Sequence, residues 1–515
     1  MVIAGSRRYR RGMHLSYWLD SVSPPTRPPL PGDLDTDVLV IGAGIVGLTA
    51  ALQLVRAGRK VVLIDMYGVG SGTTGHTTGK ITVGQSLIYS RLVEQHDART
   101  AQAYARANAE AQQWMEKLIE DEHIDCDYER KVNYIYCEDE ALAPRLRREC
   151  EAAVEAGVDM TFQKDAPLPF PVAAALRVDD QGQFHALKYL LKLAELVEAG
   201  GGVIHEGTRA IDIDPGVPCK VRTTAGTVTA NHVIMATHYP FADRGFFFAR
   251  VRPSRSYVIA AYIDPAKAPD GMFINTGSPT RSVRTIPDGD RVLLAVAGES
   301  HAVGEDYETV DNYEALESWA RERFGVEEIA WRWSAQDGRT ADFLPYAGTA
   351  WRSVDNVYTA TGFAKWGLTN GTACATLIAE RILDRKYPHE WLYDPHRVTL
   401  NASAQRFTRE NLKVGFHFLR DRLRHPQTGD IDSLKPGQAV VSGTGFNQVA
   451  AYCDESGRIH AVSARCTHLG CIVAWNTAER SWDCPCHGSR FDIDGRVIEG
   501  PATEDLPRAE YQPRR

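Results

Sequence analysis

The most constraining feature of the sequence is a glycine-rich turn between an apolar strand and an apolar helix. Val38–Ile41 is an uninterrupted apolar run, which predicts a strand buried on both faces, and Ile45–Ala57 has the spacing of a helix that packs on it. A second apolar strand, Val61–Ile64, ends in Asp65. The turn itself contributes the glycines Gly42, Gly44 and Gly47. The arrangement predicts a β-α-β unit with the fingerprint of a dinucleotide-binding site.

Each residue type in this fingerprint has a physical task. The first glycine allows the tight turn, the second lets backbone N–H groups approach a pyrophosphate, and the third lets the helix pack closely on the strand. Asp65 stands where a carboxylate accepts hydrogen bonds from both ribose hydroxyls. We therefore expect Gly42, Gly44, Gly47 and Asp65 to bind a dinucleotide. A second string of the same form, Gly70–Gly75, has no strand ahead of it and no helix signal after it, so we expect a flexible loop near the ligand.

Length and composition limit the classes of protein that the chain can belong to. A chain of 515 residues exceeds one ordinary hydrophobic core, so we expect two or three domains. With 43% apolar residues, 24% charged residues and a net charge of −8, the composition argues against disorder and against a basic nucleic-acid surface. The longest uncharged stretch, Val38–Val55, is interrupted by glycines and does not predict a membrane span. We expect a soluble, cytoplasmic protein.

Further apolar patterns indicate a second, mostly antiparallel domain inserted between parts of the nucleotide domain. Helical patterns follow at Leu87–Glu120, Ala186–Glu198 and Thr372–Asp384. Strand patterns occur at Val132–Tyr136, Ala174–Val178, Val251–Ile263, Arg291–Ala297 and Val357–Ala360, and Thr227–Thr237 predicts a strand pair. Leu400–Leu423 is charged and amphipathic and predicts a connecting helix. The short alternating runs Ala439–Ser442, Gln448–Cys453 and Arg458–Ser463 then predict a small all-β domain.

Two short loops in this last domain concentrate metal-binding residue types. Cys466 and His468 lie in the first loop, and Cys484 and His487 lie in the second. Two thiolates with two imidazoles suit either tetrahedral zinc or a [2Fe–2S] centre in which two histidines ligate one iron. Zinc ligand pairs usually keep cysteine with cysteine and histidine with histidine, whereas each loop here supplies one of each. The spacing therefore favours the diiron cluster over zinc.

From about residue 430 to 515 these loops resemble the two cluster-binding boxes of Rieske proteins. The resemblance implies that Cys466, His468, Cys484 and His487 are the metal ligands, and that the two remaining cysteines of the boxes form a Cys471–Cys486 disulfide. Ser489 matches the family's hydroxyl donor to a bridging sulfide. Phe491 stands where the family has a tyrosine donor, so we expect a lower reduction potential than in proteins that carry the tyrosine.

The first part of the chain, from about residue 36 to 385, resembles the D-amino-acid oxidase/glycine oxidase superfamily of FAD proteins. The resemblance rests on Asp65, Gly70–Gly79, Met235-Ala236-Thr237 and Gly338–Gly371. A single dinucleotide fingerprint also favours a tightly held FAD over a separate NAD domain. Two late segments, Arg339–Pro345 and Thr361–Gly367, look like the family's flavin-binding segments. The FAD contacts implied in the later parts of the chain are Ala236, Thr237, Asp342, Gly362, Lys365, Trp366 and Gly367.

The segment from Ser71 to His76 resembles the sarcosine and dimethylglycine dehydrogenase branch, in which such a histidine is covalently bound to FAD. Gly75 replaces the usual tryptophan, and the sequence departs from the branch afterwards. Thr73, Thr74 and His76 are therefore expected at the cofactor. Covalent attachment of His76, a non-covalent contact and an uninvolved loop histidine all stay open.

Together these patterns predict an α/β and α+β protein with an FAD-binding Rossmann-like domain, an interleaved, mainly antiparallel substrate domain and a small all-β Rieske domain. The expected boundaries are an arm at 1–35, the FAD domain at 36–86, 200–245 and 335–385, the substrate domain at 87–199 and 246–334, a linker helix region at 386–430 and the Rieske domain at 431–515.

The two cofactors predict an electron path from flavin to cluster. We expect FAD to oxidise a C–N bond of an amine or amino acid, or a related C–H bond, with the electrons leaving through the cluster to an external acceptor. A reductase fed by an external donor protein, and a redox sensor without small-molecule turnover, remain as alternatives.

Candidate substrate-side residues come from the inserted domain. Tyr257, and Arg281 or Arg284, could face the flavin and hold a carboxylate. Glu299 and His301 are candidate acid/base groups.

Overall fold

The computed structural model describes residues 15–304, 309–326, 328–397, 427–443 and 447–509. The predicted connecting helix Leu400–Leu423 and the first fourteen residues lie outside them. The described helices are α1 (Tyr17–Asp20), α2 (Ile45–Arg56), α3 (Ile88–Gln95), α4 (Ala98–Asp121), α5 (Ala143–Glu155), α6 (Ala186–Ala199), α7 (Val310–Phe324), α8 (Gly367–Ile382) and α9 (Glu390–Tyr393).

Two sheets account for the strands that precede residue 398. These strands are β1 (Leu34–Ile41), β2 (Val61–Ile64), β3 (Lys80–Ile81), β4 (Glu129–Cys137), β5 (Met160–Gln163), β6 (Ala174–Gln183), β7 (Val203–His205), β8 (Ala210–Asp214), β9 (Cys219–Thr223), β10 (Thr227–Met235), β11 (Val251–Ile263), β12 (Met272–Asn275), β13 (Ser282–Asp288), β14 (Arg291–Ala302), β15 (Ile329–Thr340), β16 (Tyr346–Trp351) and β17 (Val354–Thr361).

The first sheet is the nucleotide-binding sheet, with the strand order β16-β17-β10-β1-β2-β7. Strands β17, β10, β1, β2 and β7 run parallel, while β16 pairs with β17 in the antiparallel sense. In β1, Val38 and Val40 join the core beneath helices α2, α6 and α8, whereas Leu39 and Ile41 face the strands β8 and β9. The uninterrupted apolar run follows from this burial on both faces.

The second sheet has the order β15-β11-β14-β13-β12-β4-β6-β3, with β5 beside β6. Its pairs are antiparallel except for β12 with β4. Helix α7 covers one face, where Tyr257 and Leu316 belong to a separate apolar core. The opposite face of β11, which carries Ser256 and Val258, turns toward a large cavity.

The carboxyl-terminal part is a small all-β unit, as predicted. Its strands are β18 (Ala439–Ser442), β19 (Val449–Cys453), β20 (Ile459–Ser463), β21 (Ala474–Asn476), β22 (Ser481–Asp483), β23 (Arg490–Phe491) and β24 (Val497–Glu499). They form the antiparallel sheets β18-β19-β20 and β21-β22-β23-β24. Tyr452, Trp475 and Trp482 fill the core, with the first two rings stacked at 4.5 Å.

Three elements differ from the sequence-based expectation. The segment Thr227–Thr237 is one strand, β10, and its antiparallel partner is the preceding strand β9. The helical stretch Leu87–Glu120 divides into α3 and α4, because the side chain of Asp97 accepts the N–H of Thr100 and starts a new helix. The second glycine string leads into a 3₁₀ helix, Thr73–His76, rather than a loop without regular structure.

Part of the predicted amino-terminal arm, and one helix of the predicted substrate domain, pack against other parts of the chain. Residues 15–35 include α1, whose Trp18 is fully buried, and Arg27 forms ion pairs with Glu198 and Glu206. Helix α6, which the prediction assigns to the substrate domain, packs on α2 of the nucleotide-binding sheet. Among the described residues, no helix has the length and apolar character needed to cross a bilayer.

Candidate active site

A cavity of about 660 Å³ lies where the two sheets and the carboxyl-terminal unit meet. Its walls include the carboxyl ends of β1, β2 and β10, the inner face of β11 and the start of α8. Ligands of open α/β sheets bind at this end of the strands. The carboxyl-terminal unit supplies one wall through Ile498, Glu499, Gly500, Ala502 and Thr503.

The glycine fingerprint closes one end of the cavity, and each glycine is required by a close approach. Gly42 has φ +112°, and a Cβ there would lie 2.5 Å from the carbonyl oxygen of Ala236. A Cβ on Gly47 would lie 1.8 Å from the carbonyl oxygen of Gly42. Gly44 caps α2 without a side chain, which leaves the amino-terminal N–H groups of the helix facing the cavity. Gly47 lies behind the cavity wall and acts through packing.

Asp65, the predicted ribose ligand, also lines the cavity. Its carboxylate accepts the backbone N–H groups of Ala43, Tyr67 and Gly68 at 2.8–2.9 Å and the hydroxyl of Ser71 at 3.3 Å. Burial raises the pKa of Asp65 above its ordinary value despite these four hydrogen bonds. The carboxylate is thereby held in one position at the end of β2.

The second glycine string repeats the backbone arrangement of the first. Gly70 has φ +72°, and a Cβ on Gly75 would lie 1.9 Å from the carbonyl oxygen of Gly70. The hydroxyl of Thr74 accepts the N–H of Ile45 at the start of α2. Thr73, Thr74 and His76 all line the cavity. His76 Nδ1 donates to the carbonyl of Gly72 at 2.8 Å, and covalent attachment of this histidine stays an open prediction.

Of the residues predicted to contact FAD in the later parts of the chain, some line the cavity and others lie behind its wall. Ala236, Thr237, Lys365, Trp366 and Gly367 line the cavity, whereas Asp342 and Gly362 do not. Asp342 is buried and pairs with Arg397 at 2.7 Å; burial alone would raise its pKa, but the guanidinium lowers it. Gly362 has φ +83°, and a Cβ there would lie 2.5 Å from the Thr340 methyl group. Asp342 and Gly362 therefore support the backbone of the cavity wall without lining the cavity.

Lys365 stands at the start of α8 on an unusual backbone. Lys365 and the preceding Ala364 have φ of +77° and +49°, a backbone region that residues other than glycine rarely adopt. The Lys365 N–H donates to Asp337 at 3.0 Å, and its ammonium donates to the hydroxyl of Ser300, which lies 2.9 Å from the hydroxyl of Ser256. Burial lowers the pKa of Lys365 to about 8.

The predicted substrate-side residues lie in different places. Glu299 and His301 line the cavity, whereas Tyr257 is fully buried on the opposite face of β11 because successive side chains of a strand alternate. His301 Nδ1 donates to the carbonyl of Ala302, so its Nε2 accepts the Tyr257 hydroxyl at 3.0 Å. Tyr257 therefore contacts a cavity residue from behind.

Neither predicted arginine lines the cavity. Arg281 pairs with Glu299 at 2.6 Å and lies over the ring of Trp319. Arg284 is buried beneath the floor, where it donates to the carbonyls of Thr78 and Gly79, and burial lowers its pKa to about 9. Sequence patterns do not indicate that Arg284 donates to these backbone carbonyls.

The cavity wall contains three arginines that were not singled out from the sequence. They are Arg339, an exposed residue near the end of β15, Arg91 of α3, and Arg209, which pairs with Asp505 at 2.8 Å. Arg91 lies over the ring of Phe343 at 5.4 Å. Arg339 makes no ion pair with another described residue. The sequence signal that could have identified Arg339 is its position as the first residue of Arg339–Pro345, the segment that resembles a flavin-binding segment.

The two cysteine–histidine loops of the carboxyl-terminal unit come together at one site. The N–H of Cys466 donates to the carbonyl of Cys471, and the N–H of Cys484 donates to the carbonyl of Ser489, which closes each loop. The expected Cys471–Cys486 disulfide joins the loops. The rings of His468 and His487 lie 4.9 Å apart and perpendicular to each other.

The side chains at this site fit a [2Fe–2S] cluster. Nδ1 of His468 and Nδ1 of His487 are buried and have no hydrogen-bond partner among the described residues. Burial lowers the pKa of His468 to about 4 and, together with the neighbouring His468, that of His487 to about 3, so both rings are neutral and able to ligate a metal. Hydrogen bonding with the thiol of Cys484 lowers the pKa of Cys466, and the side chain of Ser489 lowers it further. The two loops that the disulfide joins thus carry two sulfur and two nitrogen donors of the types that ligate a [2Fe–2S] cluster.

The carboxyl-terminal unit is docked against both sheets beside the cavity. The Gln336 side chain donates to the carbonyl of Gly488 at 2.9 Å, and Gly304 lies against Pro485. The N–H of Ala502, a cavity residue, donates to the Ser489 hydroxyl at 3.0 Å. Ser489 therefore connects the cavity wall to Cys484, whose N–H donates to the Ser489 carbonyl.

Buried charges cross the same interface. Arg255 of β11 lies 3.5 Å from Glu499 and 3.7 Å from Asp483. Arg490 lies 3.0 Å from Asp483 and 3.3 Å from Glu499. Both arginines are at most 2% exposed, so the pairs are shielded from water.

Comparisons with known proteins find matches to two separate parts of the chain. Residues 37–381 match the family described as FAD dependent oxidoreductase, and residues 426–510 match the Rieske [2Fe-2S] domain. The Rieske 2Fe-2S iron-sulfur protein YhfW of Bacillus subtilis (strain 168) is 36% identical over 95% of this chain and 96% of its own length. Gamma-glutamylputrescine oxidoreductase of Escherichia coli (strain K12) is 28% identical over 75% of this chain and 93% of its own. The crystal structure of glycine oxidase from Geobacillus kaustophilus shares the fold, with a TM-score of 0.59, 20% identity, and coverage of 69% of this chain and 96% of that chain.

Proposed function

Because this chain belongs to the FAD dependent oxidoreductase family and carries a carboxyl-terminal Rieske [2Fe-2S] domain, we propose that it oxidises a C–N bond of an amine or amino acid and passes the electrons through the Rieske domain to an external acceptor. The chain is an FAD- and [2Fe–2S]-dependent oxidoreductase. Bound FAD supplies two-electron oxidation, and the bound cluster supplies one-electron transfer. The cytoplasmic location and the acceptor stay predictions.

The observation that carries the proposal is the shared cavity wall. Ala502 faces the cavity, and its N–H donates to the hydroxyl of Ser489, whose carbonyl accepts the N–H of Cys484. The contact requires no movement of one domain toward the other. A binding cavity and a cluster site that share a wall support electron transfer within the chain.

The charged groups of the cavity support an amine or amino-acid substrate. Arg339 offers two parallel N–H donors to a carboxylate. Lys365, with a pKa lowered to about 8, is suited to take the proton of a substrate ammonium group near neutral pH. The Escherichia coli relative that covers 75% of this chain is named for an amine, gamma-glutamylputrescine.

The proposal is tested by anaerobic titration of the FAD- and cluster-loaded protein with a panel of amines and amino acids. Flavin and cluster absorbance are followed together. We expect a substrate that bleaches the flavin first and the cluster second. Reduction of the cluster before the flavin by an external donor would identify a reductase, and no response from either group to any compound would contradict small-molecule oxidation.

The same titration with variants separates the substrate classes. Arg339→Met should raise KM about tenfold or more for substrates with a carboxylate, and leave KM for simple amines within about twofold. Arg56→Met is the matched control, because Arg56 forms an exposed ion pair with Glu122 away from the cavity. Equal effects of Arg339→Met on both substrate classes would rule out carboxylate recognition by Arg339.

A further inference from the structure

Three consecutive phenylalanines form a loop before β11 that presents one ring to solvent. Phe246 is 66% exposed, whereas Phe247 is fully buried. Phe246 has φ +57°, which is an outlier for a bulky residue. The carboxylate of Asp243 accepts the N–H groups of Phe247 and Phe248 at 2.8 and 2.6 Å and holds the backbone in this form. Such strain persists where the surroundings fix it, and it clusters at functional positions.

The base of this loop is firmly anchored. The Phe247 ring packs edge-on against Tyr346 at 5.8 Å. The guanidinium of Arg250 lies over both rings and donates to the carbonyls of Gly245 and Pro395. The exposure of Phe246 is therefore a property of an ordered loop.

From Phe246 a row of rings leads to the cluster ligands. The centroids of Phe246 and Phe248 are 5.8 Å apart, and those of Phe248 and His487 are 5.5 Å apart. His487 is followed by His468 at 4.9 Å. Phe248 lies against His487, which is only 3% exposed. An outside molecule on this side meets the phenylalanines of the flavin-binding part before it meets His487.

The other end of the row is also apolar and exposed. Leu469, the neighbour of His468, is 49% exposed. Exposed large apolar residues are uncommon in the described part of the chain, and Phe246 and Leu469 are two of them. Apolar groups left in solvent next to a functional site are typical of protein interaction surfaces.

Positive charge flanks both ends of the row. Arg244 lies two residues before Phe246, and Arg465 lies three residues before His468; both are exposed. The whole chain carries a net charge of −8, and these two arginines have the opposite sign. Such a rim favours a partner with an acidic surface and speeds its encounter.

We propose that Phe246, Phe248 and Leu469 form the docking surface for an acidic one-electron carrier protein. Phe248 is the ring that separates the docked carrier from His487. In the exchange, one cluster iron passes from Fe(II) to Fe(III) and the carrier metal gains that electron; no bond is formed or broken. The inference rests on the proposed function only for the direction of flow.

The test measures carrier binding and electron exchange separately. An acidic blue-copper protein is the probe, and a basic cytochrome c is its charge control. Binding to the loaded protein is measured on a biosensor at low and high salt. For exchange, the protein is reduced by light with deazaflavin, which needs no substrate, and is then mixed with the oxidised carrier or with ferricyanide, which needs no docking surface.

The expected result is a specific loss at the carrier step. Phe246→Ser and Leu469→Ser should each weaken the Kd for the blue-copper protein about tenfold and slow its reduction by a similar factor. Reduction of ferricyanide should stay within about twofold. Arg244→Glu should reduce the salt dependence and the preference for the acidic probe over cytochrome c. Val217→Ser is the matched control, because Val217 is 87% exposed in the turn between β8 and β9.

Unchanged carrier binding and reduction in both Phe246→Ser and Leu469→Ser would overturn the proposal. The same variants are examined by sedimentation. A change of oligomeric state without a change in carrier exchange would assign the patch to a contact between copies of the chain, and would also overturn it. Failure of the amine and amino-acid panel leaves this test intact, since light supplies the electrons.

Discussion

Lys365 combines a left-handed backbone with a buried ammonium group at the start of α8. The neighbouring Ala364 shares the unusual backbone, and Asp337 accepts the Lys365 N–H. Strain of this kind costs on the order of 1–3 kcal/mol per residue and has to be offset by the surrounding structure. At Lys365 the result is an ammonium aimed at Ser300 inside the cavity. We infer that this position serves proton transfer rather than stability.

Replacement of Lys365 by methionine should change the pH dependence of substrate oxidation. The pKa of Lys365 is lowered to about 8, so the amine is neutral and able to accept a proton above that pH. In the wild type the rate of anaerobic flavin reduction should therefore rise as the pH increases through about 8. In Lys365→Met this rise should disappear or move to the pKa of the substrate amine, with a rate loss of about 10²–10⁴-fold at neutral pH. An unchanged pH profile would exclude Lys365 as the base.

Phe491 offers a test at the cluster. It is fully buried in β23, two residues after Ser489. A tyrosine hydroxyl at this position should stabilise the reduced cluster by about 1.5 kcal/mol, or roughly 60 mV for one electron. Phe491→Tyr should therefore raise the reduction potential, and Ser489→Ala should lower it. Redox titration followed by EPR measures both, and a potential in Phe491→Tyr at or below the wild-type value would contradict the expected hydrogen bond.

At the scale of elements, the two glycine strings form a matched pair of turns around the start of α2. Gly47 closes on the carbonyl of Gly42, and Gly75 closes on the carbonyl of Gly70 in the same way. Thr74 from the second turn contacts Ile45 of the first. The pair therefore builds one continuous cavity wall from two short segments.

Alanine substitutions should distinguish the structural glycines from the permissive one. Gly75→Ala should destabilise the protein as strongly as Gly47→Ala, by about 1–3 kcal/mol or more, because each new Cβ would overlap a backbone oxygen. Gly72→Ala is the control, since no atom lies within 4 Å of its Cβ position, and it should change stability by about 0.5 kcal/mol at most. Guanidinium unfolding and FAD content provide the measurements. A Gly75→Ala protein as stable as Gly72→Ala would mean that the turn can open without cost.

The same elements show what could be predicted from the sequence. The β-α-β unit and the strands of the small all-β unit were predictable because apolar periodicity and turn residues are local signals. Strand β11 was predicted with its observed bounds, Val251–Ile263. The grouping of the cysteines and histidines at one site was predictable because each loop keeps these residues close in sequence.

Other features depend on distant contacts that no local pattern records. Tyr257 was expected at the flavin, but it packs under α7 on the opposite face of β11. The residues of β11 that line the cavity are Ser256 and Val258, and which face meets the cavity depends on the packing of α7. The start of α8 was expected at Thr372, but the helix begins at Gly367. Gly371 permits this helix to pack closely on Ile45 and Val46 of α2, a tertiary gain that its low helix propensity conceals.

At the scale of the whole molecule, the Rieske domain is a fixed wall of the flavin cavity. Thr309 donates to Asn476 at 2.8 Å, and the Tyr313 hydroxyl donates to Glu479 at 2.7 Å, which adds to the contacts of Gln336 and Ala502. Polar contacts buried across an interface fix its register, because each broken partner would remain unsatisfied. The two parts of the chain are therefore expected to act as one body during electron transfer.

The buried charges across this interface give the strongest test of a fixed Rieske domain. In Arg255→Met, Glu499 and Asp483 lose one of their two guanidinium partners and keep Arg490, so we expect a part of the roughly 3–5 kcal/mol that a fully uncompensated buried charge costs. We expect the Rieske domain to detach before the flavin-binding part unfolds, with faster hydrogen exchange at residues 498–503 and slower electron transfer from flavin to cluster. In Arg56→Met, which breaks an exposed pair with Glu122, the loss should be about 0–1 kcal/mol and exchange at these residues should not change. If Arg255→Met and Arg56→Met gave the same exchange pattern, the ion pairs would not be what holds the domain in place.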